Sequence, residues 1–267
     1  MYLRVIRKYL EVGKVQLLQG FQYRMNTFFL VSIIIVPPVA YFFLWKSIYS
    51  QKEIISHYKL GEIITYYIIS YLFLEIKPHA WWEIANSIKD GRFSLYITKP
   101  INHLIFQMVM AYAYVILWWI VAISGALFLF LIFKNYVILP KGITPFFLSF
   151  LFAFFGGIMG YIIEYIFNIL AFWIEKPFGL LRFYNYIIYF FAGNLIPLDL
   201  LPFKKFFLSL PFKYISYYPA SIFIGKVQNI HIFSELMTLF FWIFLFFLIS
   251  QIIFYFGRKY YSAPGSV

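Results

Sequence analysis

With 267 residues, 63% of them hydrophobic and 25% aromatic, and a mean hydropathy of +0.82, the chain lies far outside the composition of soluble domains. Only 12% of residues are charged, yet the formal net charge is +12, which in so apolar a chain points to anionic lipid and cytoplasmic retention of loops rather than to nucleic acid. The absence of cysteine excludes disulfides and thiolate metal sites, and no stretch between apolar runs is long enough to bury a core of its own, so 1–267 is expected to form one membrane domain.

From Tyr2 to about Gly20, the charges Arg4, Arg7, Lys8, Glu11 and Lys14 advance at helical pitch along one arc, with Tyr2, Val5, Ile6, Tyr9 and Gly13 opposite. Residues 1–25 are therefore expected to lie as a helix in the membrane interface, basic side out, the alternative being a solvated end of the first span. The stretch lacks the apolar core and small-residue cleavage site of a signal peptide, so the first span is expected to serve as the targeting signal.

That first span runs from Asn26 to Trp45 without a charge, with Pro37 and Pro38 in its outer half, where two missing N–H donors predict a kink. A polar loop, Lys46 to Lys59, leads to a second span over Leu60 to Ile76. After a polar stretch at 77–103, a third span lies within Leu104 to Phe133, and a short loop, Lys134 to Gly142, turns the chain back. The fourth begins near Thr144 and carries Gly156 and Gly160 at the spacing that lets helix backbones approach closely. Its apolar run reaches Trp173, with Glu164 near the inner interface. A fifth span is expected over Phe178 to Ile196 and a sixth over Ile232 to Phe256, ending in Arg258 and Lys259.

Between the last two spans, residues 190–226 are too apolar for an ordinary loop and too interrupted for a crossing. Pro197, Pro202, Pro211 and Pro219, with Gly193 and Gly225, cut the stretch into short pieces. Broken backbone at membrane depth persists only where protein or a water-filled cavity satisfies its N–H and C=O groups, so this segment is expected to shape a pathway or seal one. The six arginines, Arg4, Arg7, Arg24, Arg92, Arg182 and Arg258, all fall at the termini, in 77–103 or just after Trp173. Under the positive-inside rule both termini and 77–103 are then cytoplasmic, and 190–226 lies outside.

In the cytoplasmic stretch, Trp81, Ile84, Ala85 and Ile88 repeat at i, i+3, i+4, i+7, with Glu83, Asn86, Ser87 and Asp90 facing away and Gly91 placed to end the helix. Such a helix can bury its aromatic side in lipid or in a groove on a soluble partner. Four carboxylates, Glu62, Glu75, Glu164 and Glu235, sit near or within spans, as interface residues or as a coupling or proton-carrying group. No phosphate-binding loop, zinc-protease motif or nucleophile elbow is present, and His57, His79, His103 and His231 lack a metal-binding spacing, so catalysis by this chain is not expected.

In the blocks FFAGNLIPLDLLP, LPFKYISYYPASIFIGK and GRFSLYITKPI the chain resembles the type-2 permeases of ATP-binding-cassette (ABC) exporters, in a bacterial branch, and the resemblance covers essentially its whole length. The resemblance implies an all-α integral membrane fold of six transmembrane helices, with the N-terminal interfacial helix, a cytoplasmic coupling helix and an extracellular re-entrant helical hairpin. It implies a bacterial inner-membrane exporter of an amphipathic or hydrophobic compound, in which this permease pairs with a second one, identical or homologous, on two copies of a separate ATPase. ATP and Mg would be held by that ATPase, with no cofactor or metal here. Trp81, Trp82, Glu83, Ile84, Ile88, Asp90, Gly91 and Arg92 would then dock the ATPase, and Gly193, Asn194, Pro197, Asp199, Pro202, Pro211, Tyr217, Pro219 and Gly225 would form the gate. Pro37, Pro38, Glu75 and Glu164 are candidates for the pathway or permease interface. The long loop at Lys46 to Lys59 departs from the family pattern. Two other readings fit the composition: a proton-driven secondary transporter using an intramembrane glutamate, and a non-transporting scaffold or immunity protein.

Overall fold

A computed structural model of the chain describes residues 24–51, 54–80, 82–97, 99, 101–227 and 231–261, so the expected interfacial helix falls almost wholly outside the described residues. The fold is mainly helical. Helix α1 (Arg24–Ile48) continues through Pro37 and Pro38 and leads to a small antiparallel hairpin, β1 (Ile54–Ile55) and β2 (Tyr58–Lys59), within the expected polar loop. Helix α2 (Leu60–Glu75) follows at once, and the Glu62 carboxylate accepts the Lys59 N–H at 2.8 Å, satisfying a backbone donor ahead of the first turn. Every residue of α2 from Ile63 to Leu74 is buried, which accounts for a helix that is apolar all round and shows no stripe.

Two short helices, α3 (Glu83–Lys89) and α4 (Ser94–Ile97), precede α5 (His103–Ile132), whose first turn is capped by Asn102 Oδ1 accepting the Ile105 N–H at 3.1 Å. Helix α6 (Ile143–Ile169) tightens into a 3₁₀ turn at Leu170–Phe172, and α7 (Phe178–Phe191) starts directly after Pro177. The proline-cut segment then folds as a 3₁₀ turn (Leu198–Leu200), α8 (Lys204–Ser209), a second 3₁₀ turn (Pro211–Tyr214) and α9 (Tyr217–Phe223), before the long α10 (Ile232–Tyr260).

Helix α6 is the central post: α10, α9, α7 and α3 all pack on it, while α1, α2 and α5 form a second group joined to it through α9 and α2. The apolar interior divides accordingly. One cluster joins α1, α2 and α5 to the proline-cut segment, and a smaller one joins α3, the C-terminal half of α6 and the C-terminal half of α10. Helix α10 turns Phe233, Phe241, Phe244, Ile252 and Phe256 outward, as a helix facing hydrocarbon does.

Among the described residues, two helices are long and apolar enough to cross a membrane outright, Ile143–Phe172 and Ile232–Tyr260, and a third crossing results if His103–Ile116 and Trp118–Ile132, bent by 43°, act as one. Helix α2, with 16 residues, falls short of the roughly 20 that a straight crossing needs. The expected fifth span is shorter than its apolar run: α7 has 14 residues, about 21 Å, against about 30 Å of hydrocarbon. It stops because Gly193 takes φ +86°, with its N–H on the Phe190 carbonyl at 3.1 Å and the Asn194 N–H on the Tyr189 carbonyl at 3.2 Å. That pair of bonds is a glycine-terminated helix cap, which a side chain with Cβ would strain.

Candidate functional site

Helix α3 shows how the polar stretch at 77–103 is held. Ile84, Ala85 and Ile88 are buried, and the Ala85 N–H donates to Asn168 Oδ1 at 3.2 Å, which fastens the helix to α6. Asn168 is itself fixed by donating from Nδ2 to the Glu164 carbonyl at 3.0 Å. The apolar edge of α3 therefore faces the bundle, neither lipid nor an open groove, and Ser87, expected on the outer face, is buried with its hydroxyl on the Ile84 carbonyl. Gly91, at φ +85°, ends the helix as expected.

Beyond Gly91, Phe93 is fully buried among Phe172, His103, Tyr261 and Phe254, with ring centroids at 5.0, 5.2, 5.2 and 5.9 Å. Glu83, Asp90 and Arg92 remain on the outer side. Arg92 bridges the two carboxylates, at 2.6 Å from Asp90 Oδ2 and 3.0 Å from Glu83 Oε1. Slight desolvation pushes the Asp90 carboxyl up, but the Arg92 amide and guanidinium outweigh it and hold it below the ordinary aspartate range. A depressed carboxyl keeps its contribution above the unfolded pKa and loses it only as the pH falls through the folded one, so this brace stands at neutral pH. Trp82 is half-exposed, edge-on to Phe178; Trp81 lies outside the described residues.

The second constellation lies between α2, α5, α6 and α7. Glu75 and Glu164, 89 residues apart in the chain, line one cavity of about 220 Å³, with Tyr114, Trp118, Tyr184 and Tyr189 in its walls. A wider recess of about 600 Å³ adjoins it and shares His79, Trp82, Tyr114 and Trp118. Glu164 is buried and meets Lys77 Nζ at 2.7 Å, both side chains being almost fully enclosed. The Lys77 ammonium also faces the Pro78 carbonyl at 3.2 Å and His79 Nδ1 at 3.3 Å, which occupies its three donors. Room for its stem comes from α6: a Cβ on Gly160 would sit 2.8 Å from Lys77 Cδ. Glu164 is thus a member of an ion pair enclosed within the bundle. Pro37 and Pro38 belong to α1 and do not line this cavity.

In the third region, the predicted cuts at the prolines are followed by satisfied backbone. Tyr66 donates to the Gly193 carbonyl at 2.7 Å and Tyr67 to the Leu195 carbonyl at 2.9 Å. Asn194, fully buried, donates to the Ser70 carbonyl at 3.1 Å and accepts from Ser216 Oγ at 2.6 Å, while the Ala192 carbonyl accepts from the Tyr217 N–H at 2.9 Å. Pro197 precedes the first 3₁₀ turn, Pro202 follows it, Pro211 opens the second, and Pro219 sits in the first turn of α9. Asp199 accepts from Tyr58 at 3.0 Å and contacts His57 Nε2 at 2.6 Å, and Lys226, beside Gly225 (φ +76°), meets Glu62 at 2.7 Å. Glu235 is paired with Lys213 at 2.8 Å and bonded by Tyr214. The backbone at Tyr214–Ile215 lies against Gly156, where a Cβ would come within 2.0 Å of the Tyr214 carbonyl oxygen.

Lys77, Asn168 and Phe93 hold these regions together and were not among the sequence candidates. The available signal for Lys77 was its sign: a lysine at the end of one span and a glutamate inside another are natural partners where charge is expensive. Asn168, one helical turn beyond Glu164, offered a polar side chain inside an apolar run. Among the described residues there is no group of three His, Asp or Glu arranged for a metal.

Helices clothed in apolar side chains, charge confined to their ends and to one enclosed ion pair, and a cavity between them define an integral membrane protein of the transporter class. The family described as ABC-2 family transporter protein matches residues 35–265, and the chain belongs to it. It is an ABC-2 type permease, the membrane component of an ABC transporter and not itself catalytic; permeases of this family work with ABC ATPase partners. A search of the curated proteins returns no match.

Proposed function

We propose that the chain is one permease subunit of an ATP-driven exporter in a bacterial cytoplasmic membrane. Six crossings leave both termini inside, with the short α2 and α7 completed by adjoining non-helical residues and local thinning of the bilayer. The permease pairs with a second copy or a homologue and rests on two ATPase subunits, which bind ATP and Mg. It moves an amphipathic or hydrophobic compound outward.

The observation that carries this reading is the mounting of α3. Its apolar edge is keyed into α6 through Ile84, Ile88 and the Ala85–Asn168 bond, and its polar edge, Glu83, Asp90 and Arg92, points away from the bundle. A partner gripping that polar edge moves α6, and α6 carries α7, α9 and α10. ATP binding would draw the two ATPases together, and their differential affinity for ATP in the closed state would supply the work. Segment 190–226 then closes the outer end, held to α2 by Tyr66, Tyr67 and Ser70.

The test is co-purification with an ABC ATPase from the same genome, on the parent chain and on Asp90→Lys and Arg92→Glu. Charge reversal on this exposed edge should cut ATPase association by roughly tenfold, the equivalent of about 1.4 kcal/mol, while membrane insertion and monodispersity are kept. Equal recovery of the ATPase with all three chains would remove α3 as the docking element.

A further inference from the structure

The charges around the α2–α5–α6–α7 cavity do not balance. Lys77 is committed to Glu164, to the Pro78 carbonyl and to His79, so the Glu164 charge is matched inside the wall. Glu75 lines the same cavity, and among the described residues no Lys, Arg or His side chain comes within ion-pair distance of it. The wall is mainly aromatic, with Tyr114 and Trp118 from α5 and Tyr184 and Tyr189 from α7, and His79 and Asn185 are its other polar members. The Tyr184 hydroxyl is used on the Gly160 carbonyl at 2.9 Å, which leaves its ring as what it offers the cavity. At the rim the chain already places a cation against an aromatic ring, Arg182 over Trp82 at 6.0 Å.

A carboxylate without a direct ion-pair partner, felt by Lys77 and His79 only through space, inside a mainly aromatic wall is the chemistry that selects a cation with an apolar body. The carboxylate supplies charge, and the rings supply both apolar contact and the negative faces that attract a poorly hydrated positive centre. A strongly hydrated metal ion would find too few oxygen ligands here, and an anion would meet Glu75 directly. We infer that this cavity, with the recess that adjoins it, binds organic cations, meaning protonated amines or quaternary centres carried on an aromatic or aliphatic frame. This names the class of cargo for the permease reading and rests on that reading only for the word cargo; the binding follows from the cavity alone.

The probes are tetraphenylphosphonium and tetraphenylborate, which share shape and size and differ in sign. Binding is measured by equilibrium dialysis to the full chain in lipid nanodiscs, without any ATPase, with empty discs subtracted. Saturable binding of the phosphonium at least tenfold tighter than that of the borate is expected, and it needs no variant. Glu75→Gln should weaken phosphonium binding roughly tenfold or more, and Trp118→Leu by several-fold, whereas the exposed Glu175→Gln, outside the cavity lining, should stay within about threefold of the parent. Equal affinity for the two ions, or undiminished binding by a monodisperse Glu75→Gln chain, would overturn the inference. Cation binding without any ATPase association would count against the exporter reading alone; ATPase association with no preference for the cation would count against this inference alone.

Discussion

Lys77 and Glu164 illustrate how a single residue's cost decides its neighbours. Two enclosed charges at 2.7 Å are tolerated because each answers the other and the ammonium's remaining donors are used. Replacing one partner strands the other, so Lys77→Met or Glu164→Gln alone should cost about 3–5 kcal/mol, read as a lowered melting temperature in detergent. The double variant Lys77→Met/Glu164→Gln removes both charges and should recover most of the loss. Additive losses from the two single changes would show that the residues act independently. The glycines make a second residue-scale contrast. Ala at Gly156 would drive its Cβ into the Tyr214 carbonyl, a backbone atom that cannot swing aside, so a loss of about 1–3 kcal/mol and a loosened 190–226 segment are expected. Ala at Gly179, with nothing within 4 Å, should instead stabilise α7 by up to about 1 kcal/mol. Both are read by thermal unfolding, and a neutral Gly156→Ala would mean that the segment yields.

Among elements, local pattern and distant partner separate cleanly. The i, i+3, i+4, i+7 spacing was enough to read α3, its buried Ile84 and Ile88 and its end at Gly91, because helical periodicity is a property of neighbouring residues. What that face meets was not legible: Asn168 lies 83 residues on, and no periodicity reaches that far. The prolines likewise marked where the pieces of 190–226 end, but not that α2, a helix with no stripe, offers Tyr66, Tyr67 and Ser70 to receive them. The apolar run at α7 overshoots the helix for a related reason. Its apolar run continues to Ile196, while the glycine cap at Gly193 stops the helix at Phe191, and backbone geometry outweighs hydropathy there. The hairpin and the 3₁₀ turn at Leu198–Leu200 are joined by Asp199, which serves both His57 and Tyr58. Asp199→Asn removes the charge from those bonds, and hydrogen exchange over 198–209 should quicken several-fold while that of α6 stays unchanged. Unaltered exchange in both would show that apolar packing alone retains the segment.

At the scale of the whole molecule, the two ends differ in the charge they carry. Arg92, Arg182 and Arg258 gather at the end that holds α3: Arg182 stands over Trp82, and Arg258 lines a recess with Asn102 and His103. The opposite end is stitched by lysine and histidine pairs, His57–Asp199, Lys226–Glu62 and Lys213–Glu235, with no described arginine. Under the positive-inside rule the proposed topology puts the first end in the cytoplasm. The absence of cysteine makes this directly measurable, since each single-cysteine variant carries only the thiol introduced. Lys204→Cys, at the start of exposed α8, should react with a membrane-impermeant maleimide on intact cells. Arg92→Cys, exposed beside α3, should react only after the membrane is opened. The reverse pattern would turn the molecule over in the membrane, put α3 where no ATPase can reach it, and leave the closing role of 190–226 without a side to close.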